Sequence, residues 1–281
     1  MPDFPSLFIS HGAPTLAIER SPAQEYLKEL GETLATPRAI IVVSAHHIAR
    51  RVAVTVDANP ETVYDFRGFP EPLYKLSYPA PGAPDLAVKI IEQLVDAGFD
   101  AAAQPHRGLD HGAWVPLSLM FPRANIPVLQ VSIDMSKSPE WHYALGLALA
   151  PLRDESILII GSGAVTHNLR AFFQGDFHLD SDSPEWVTAF AEWIADRIER
   201  GDLETVLAAV EVGPFGKQNH PSMDHILPLF VALGAGGPSA KGKRLHKSSN
   251  YGILSMDAYA FGDTMKIASY PSQIQRTEVI D

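Results

Sequence analysis

The stretch Ala39-Ile-Ile-Val-Val-Ser44, followed at once by Ala45-His46-His47, decides the fold class. Four consecutive β-branched residues in an uncharged run read as a strand buried on both faces, and such strands belong to parallel sheets covered by helices on either side. Upstream, Leu7-Phe-Ile9 is a shorter strand that stops at Ser10-His11-Gly12. Ser21-Pro22-Ala-Gln24 then opens a helix reaching about residue 34: the serine caps, the proline suits the first turn and Gln24 reaches back. Downstream, residues 52–56, 128–133 and 156–160 are apolar enough to be strands. They alternate with helical patterns at residues 84–97, from Ser138-Pro139-Glu140, at 183–200 and at 221–233. Residues 64–82 form a long loop rich in proline, glycine and aromatic side chains, and residues 251–270 again look strand-like. The alternation, with no Pro- or Gly-rich linker, predicts one α/β domain over residues 1–281. Its central, largely parallel sheet would be flanked by helices, with the site beyond the carboxyl ends of the strands.

Composition narrows the chemistry. With 46% hydrophobic and 20% charged residues in 281, the chain is an ordinary globular one, not a disordered one. Cysteine is absent, which excludes disulfides, zinc ribbons, iron–sulfur clusters and thiol nucleophiles and leaves any metal to His, Asp, Glu or water. A net charge of −11 repels phosphate backbones, so no nucleic-acid partner is expected. The densest basic run, Lys241-Gly-Lys243-Arg244-Leu-His246-Lys247, reads as a solvated loop. No apolar run nears the roughly 20 residues that span a bilayer, and the N-terminus lacks the basic and apolar regions of a signal peptide. A cytoplasmic protein with no membrane partner is expected, and oligomeric assembly is left open.

The histidines are placed tellingly. His11, His46 and His47, and His167 follow three of the strand-like runs, on the side where a parallel sheet puts its site. His111 sits in a glycine-flanked loop, Gly108-Leu-Asp110-His111-Gly112, before Trp114, and His220 and His225 stand at a helix start. A single such histidine is usually a hydrogen-bonded loop residue, but three at strand ends point to a metal, since neutral imidazole suits iron, zinc, copper and nickel. The His-Glu-x-x-His signature is absent, and Gly161-Ser162-Gly163 matches neither a phosphate loop nor a nucleophile elbow, because Ile160 stands where a Gly-x-Ser-x-Gly pattern needs glycine. Tyr64, Phe66, Phe69, Tyr74 and Tyr78 read either as a packed surface loop or as the wall of a planar substrate's site. Trp141 and Trp186 read as packing residues.

These residues resemble a known family. Phe8-Ile-Ser-His11-Gly-Ala-Pro14, Val43-Ser-Ala-His46, Tyr64-Asp-Phe-Arg-Gly-Phe-Pro70 and Tyr78-Pro-Ala-Pro-Gly82 are similar to motifs of DODA-type extradiol ring-opening dioxygenases, the 4,5-DOPA dioxygenase-like members of the class III extradiol superfamily. Gly108-Leu-Asp-His111-Gly-Ala-Trp114, Gly161-Ser-Gly-Ala-Val-Thr-His167-Asn-Leu169 and His220-Pro-Ser-Met-Asp-His225-Ile-Leu-Pro-Leu229 continue the match in order, over nearly the whole chain. The resemblance implies that His11, His46 and His225 are metal ligands. It implies that His167 is the acid/base residue and a further ligand when substrate is away, and that His111 faces substrate or oxygen. His47, Tyr64, Phe69, His220 and Tyr251 would line the substrate pocket.

The chemistry so implied is cleavage of a catechol beside its diol by O2. Substrate would bind through both hydroxyl oxygens to one divalent metal, a His-ligated non-haem Fe(II). Purified protein is expected to carry Zn(II), which stands above iron in the affinity order but has no redox chemistry. The partners are thus a small aromatic diol and O2. The main alternative is a metal-dependent hydrolase that uses metal-bound water on the same histidines, and a second is a non-catalytic metal- or aromatic-binding protein.

Overall fold

A computed structural model of the chain describes residues 4–262. Its strands are β1 (Ser6–Ser10), β2 (Ala39–Ser44), β3 (Val52–Thr55), β4 (Ala101–Gln104), β5 (Val128–Gln130), β6 (Ile157–Gly163), β7 (Lys241–His246), β8 (Ser249–Asn250), β9 (Leu254–Ser255) and β10 (Ala258–Gly262). Its helices are α1 (Pro22–Thr33), α2 (Pro84–Asp96), α3 (His111–Met120), α4 (Pro139–Leu149), α5 (Leu169–Gln174), α6 (Glu185–Arg200), α7 (Leu203–Leu207), α8 (Ala209–Val212), α9 (Gly216–Asn219) and α10 (Leu227–Ala235).

The main sheet has the order β5-β2-β6-β1-β10-β7. β5, β2, β6 and β1 run parallel, and β10 and β7 extend the sheet antiparallel. The strand pleat divides the side chains between two cores. Phe8, Ile41, Val43, Ile157 and Ile159 join α2, α4, α6 and α10. Leu7, Ile9, Ile40, Val42, Leu158 and Ile160 join α1 and α3 on the other face. Both faces are therefore withdrawn from water, at roughly 1.5–3 kcal/mol for each large side chain. This is the largely parallel, helix-flanked sheet that the Ile-Val run demanded.

Local signals held where they were strongest. The Ser21 and Ser138 hydroxyls accept the backbone N–H groups of Gln24 and Trp141 at the starts of α1 and α4. The same pattern does not cap α6, which begins at Glu185 behind Pro184 with no side-chain cap. Residues 128–133 are a strand only as far as Gln130, because Val131 and Ile133 turn to bridge Val54 and Ile48 near the β3–β4 ribbon. The helix expected at residues 221–233 starts at Leu227, after turns. The basic run at 241–247 is not a solvated loop but the edge strand β7, with Arg244 paired to Glu192 and Asp257. Lysines on such an edge discourage further strand pairing. Of the strand-like residues 251–270, β9 and β10 are found, and positions beyond 262 lie outside the described residues. No helix among the described residues is long and apolar enough to cross a membrane.

Candidate active site

β2, β6 and β1 are neighbours at the centre of the sheet, and their carboxyl ends release the chain into His46, His167 and His11. His111 arrives on the first turn of α3, not in a loop as expected, and His225 on the turn before α10. Two glycines let these segments close in. A Cβ on Gly163 would lie 2.1 Å from the His225 carbonyl oxygen, which accepts the Ala164 N–H at 2.8 Å. Gly161-Ser162-Gly163 is thus the end of β6, kept small so that the His225 segment can lie against it.

The five imidazoles form one cluster. Ring centroids separate His11 from His46, His111 and His225 by 5.0, 5.4 and 5.4 Å, and His46 from His111 and His225 by 4.0 and 5.0 Å. His167 stacks on His225 at 3.4 Å. The ligand atoms of His11, His46 and His111 lie within 4.8 Å of one another, and so do those of His167, Asp224 and His225. His111, expected to face substrate or oxygen, therefore stands as close to a ligand position as His225 does.

The partners of these rings fix which nitrogen faces inward. Pro116 has no N–H to give the Gly112 carbonyl four residues before it, so that oxygen is free. The Ser162 hydroxyl donates to it and in turn accepts from His11 Nδ1 at 3.0 Å. The Asp65 carboxylate accepts both the His111 backbone N–H and the His111 Nδ1–H at 3.0 Å. Asp224 accepts from His225 Nδ1 at 2.6 Å. His11, His111 and His225 thus carry their protons on Nδ1 and keep an unshared pair on Nε2.

Burial lowers the basicity of His11, His46, His167 and His225. It puts His11 well below the ordinary histidine value, with the neighbouring rings adding to the effect. It lowers His46 and His167 to about 4 and His225 to about 3, against an opposing pull from Asp65 and Asp110 on the first and from Asp224 on the other two. Burial also raises Asp65, but the His111 and His46 rings outweigh it and hold that carboxyl at about 2. Neutral imidazoles beside ionised carboxylates are a donor set for a divalent cation. One distance supports the fit: Nε2 of His11 and Nε2 of His46 are 3.1 Å apart. That is less than twice a metal–imidazole bond of about 2.1 Å, so a single ion can reach both.

The remaining expected residues have partners of their own outside the cluster. Tyr64 and Phe69 pack with Phe66 and Tyr74 in an aromatic wall, and Phe66 meets the His111 ring edge-on at 5.7 Å. The Tyr64 hydroxyl donates to the Leu76 carbonyl within that loop. His47 is buried and its Nε2 meets the Gln104 side-chain oxygen at 2.5 Å. His220 is buried, with Nε2 donating to the Val165 carbonyl at 2.7 Å. Tyr251 bonds Thr15 at 2.9 Å and also Glu19, and its ring packs on Phe172 of α5. Sequence reasoning missed Ser44, Asp65, Arg107, Gln130 and Ser162. Ser44, Asp65 and Ser162 lie inside the quoted Val-Ser-Ala-His, Tyr-Asp-Phe and Gly-Ser-Gly motifs, a signal that could have found them.

The chain is similar to known proteins over most of its length. A family model described as the catalytic LigB subunit of aromatic ring-opening dioxygenase matches residues 5–262. The chain is 42% identical over 263 residues to a 4,5-DOPA dioxygenase extradiol of Beta vulgaris, covering 92% of this chain and 97% of that one. It is 40% identical over 241 residues to the protein of the same description from Escherichia coli (strain K12), covering 82% and 84%. A crystal structure of an uncharacterized Escherichia coli K12 protein superposes with a TM-score of 0.74 at 35% identity, over 92% of this chain and 100% of that one.

Proposed function

Because the chain belongs to the family of catalytic LigB subunits of aromatic ring-opening dioxygenases, and is thereby an extradiol ring-cleaving enzyme, we propose that it opens a catechol-type, DOPA-like ring with O2 at the histidine cluster, with Fe(II) as the working ion. One observation carries the reading. The rings of five histidines meet where three strands end, and hydrogen bonds hold Nδ1–H of His11, His111 and His225 outward. The hydrolase alternative is set aside, since the family is one of ring-opening dioxygenases.

His11, His46 and His225 would hold the ion. When bound, Fe(II) supplies Lewis acidity toward the two catechol oxygens and the one-electron steps that let O2 react with a ring. Ser162, through its bond to His11, and Asp224, through its bond to His225, keep each Nε2 available and each ring oriented. His167, neutral and stacked on His225, takes the proton of a catechol hydroxyl on a ring nitrogen. His111, held through Nδ1 by Asp65, would present the unshared pair of Nε2 to a proton on the substrate or on the oxygen-derived group. The Tyr64–Tyr74 aromatics supply a flat apolar wall that receives the ring and sheds water. His47, His220 and Tyr251 would line the rest of the pocket.

The test is reconstitution without oxygen. Metal-free protein is loaded with Fe(II) or with Zn(II), a catechol is added, air is admitted, and oxygen uptake is followed beside the yellow ring-opened product. Fe(II) protein should consume oxygen and Zn(II) protein should not, although protein as purified should contain zinc by elemental analysis. Equal turnover with both ions, or product without oxygen uptake, rejects the assignment.

A further inference from the structure

Asp110 has no exposed surface, yet it is a carboxylate with donors on both oxygens. Its Oδ1 accepts the Ser44 hydroxyl at 2.6 Å, and Ser44 Oγ accepts the backbone N–H of His46 at 3.2 Å. Its Oδ2 accepts Gln130 Nε2 at 2.7 Å and Arg107 Nη2 at 3.3 Å, and the same Arg107 nitrogen donates to the His46 carbonyl at 2.9 Å. Both polar groups of the His46 backbone are therefore tied to one side chain, from opposite sides. Asp110 also opens α3, where its carbonyl takes the N–H groups of Ala113 and Trp114. The fit is close: a Cβ added to Gly112 would lie 2.4 Å from Ser44 Oγ, 3.1 Å from His46 Cδ2 and 3.2 Å from Asp110 Oδ1.

We propose that Asp110 is a positioning residue for the metal centre, acting through Ser44 and Arg107 to set where His46 stands against His111. It joins the end of β2, the end of β5 and the first turn of α3, so that two histidines from distant parts of the chain keep one spacing. A burial role alone would not need the carboxylate to reach the same residue by two routes. The inference rests on the histidine cluster being a metal site.

The probe is Co(II) added anaerobically to the metal-free protein, with affinity measured by chelator competition and ligand geometry by its visible absorption. Asp110→Asn keeps the shape but withdraws an acceptor from Arg107 and Gln130; Ser44→Ala removes one route and leaves Asp110 intact, which guards against a variant that fails to fold. Each should weaken Co(II) binding by about 10- to 100-fold, the range for losing a ligand's supporting partner, and should alter the Co(II) spectrum. Melting of the metal-free variants is followed alongside. Lower melting temperatures with unchanged affinity and spectrum would mean that Asp110 only holds the fold, and would overturn the proposal. Wild-type protein that fails to bind Co(II) would instead overturn the metal reading itself.

Discussion

The strand-end cluster and the antiparallel edge formed by β10 and β7 both bury ionisable groups, and they settle them in opposite ways. At the edge, Asp257 accepts from Ser255 at 2.9 Å, from Tyr259 at 2.8 Å and from Arg244 at 3.4 Å, while Arg244 also forks onto both oxygens of Glu192 at 2.9 and 3.0 Å. Donors and acceptors there are matched within the protein. In the cluster the matching is one-sided: the Nδ1–H groups of His11, His111 and His225 are taken by Ser162, Asp65 and Asp224, while Nε2 of His11 and Nε2 of His46 face each other. A closed network holds a fold together. A network closed on its outer side only has been kept for something that binds in the middle.

Breaking a member of each network should therefore give opposite phenotypes. His46→Ala should reduce ring cleavage by more than the roughly 10–100-fold that losing a mere supporting partner costs, because it removes one of the two nitrogens that share the 3.1 Å gap. The melting temperature of the metal-free variant should move by less than about 4 °C, since a partly exposed ring with little else to hold is lost. Oxygen uptake and calorimetry read the two effects separately. Asp257→Ala should do the reverse. Removing one partner leaves Arg244, Ser255 and Tyr259 short of an acceptor in a buried place, at about 3–5 kcal/mol, or roughly 10 °C in melting temperature. Turnover of the folded protein at low temperature should stay at the wild-type value.

The same contrast explains what could be read from sequence. β1, β2 and the capped starts of α1 and α4 were legible because each is decided by its own residues: a β-branched run, or a serine three positions before the N–H it accepts. β4 is Ala101-Ala-Ala-Gln104, with no branched or large residue to mark it, and exists because it pairs with β3. α3 hides behind Gly112 and Pro116, which look like loop residues and in fact serve the site: one makes room for His46, the other frees the carbonyl that Ser162 takes. β7 looked like a loop because an edge strand carries charge on purpose. The five histidines of the cluster were all legible from strand ends and motifs. Their supporting groups were legible only as neighbours in the chain, Asp110 beside His111 and Asp224 beside His225, since Ser44, Asp110 and Gln130 meet only after the ends of β2 and β5 and the first turn of α3 have come together.

His142 sharpens the comparison from within one residue type. It is buried like the site histidines, and burial lowers it to about 4, against the Ser138 carbonyl and Asp134. Both its nitrogens are used: Nδ1–H donates to the Ser138 carbonyl at 2.9 Å and Nε2 accepts the Asp134 N–H at 3.3 Å. Its folded value lies below the unfolded one near 6.5, so the unfolded chain binds the proton more readily. The stability it contributes is therefore complete above about pH 6.5 and is lost as pH falls toward 4, with about 2 kcal/mol gone at pH 5. Urea unfolding of wild type and His142→Gln at pH 7 and pH 5 should show a gap that shrinks by that amount on acidification. A gap independent of pH would mean that His142 does not remain neutral in the fold.

The smallest effect separates wall from reader in the aromatic loop. The Tyr64 hydroxyl is committed to the Leu76 carbonyl across that loop, so Tyr64→Phe should cost only that bond, about 0.5–1.5 kcal/mol. Spread over loop closure on the substrate, this is roughly a two- to tenfold rise in KM with kcat unchanged. The rise should be the same for unsubstituted catechol and for a catechol bearing a carboxylate side chain, because a wall that packs on Phe66 and Tyr74 meets the ring and not its substituent. A rise confined to the substituted substrate would make the hydroxyl a reader of that group, which requires it to leave Leu76 when substrate arrives, and the loop would then belong with the open cluster instead of the closed edge.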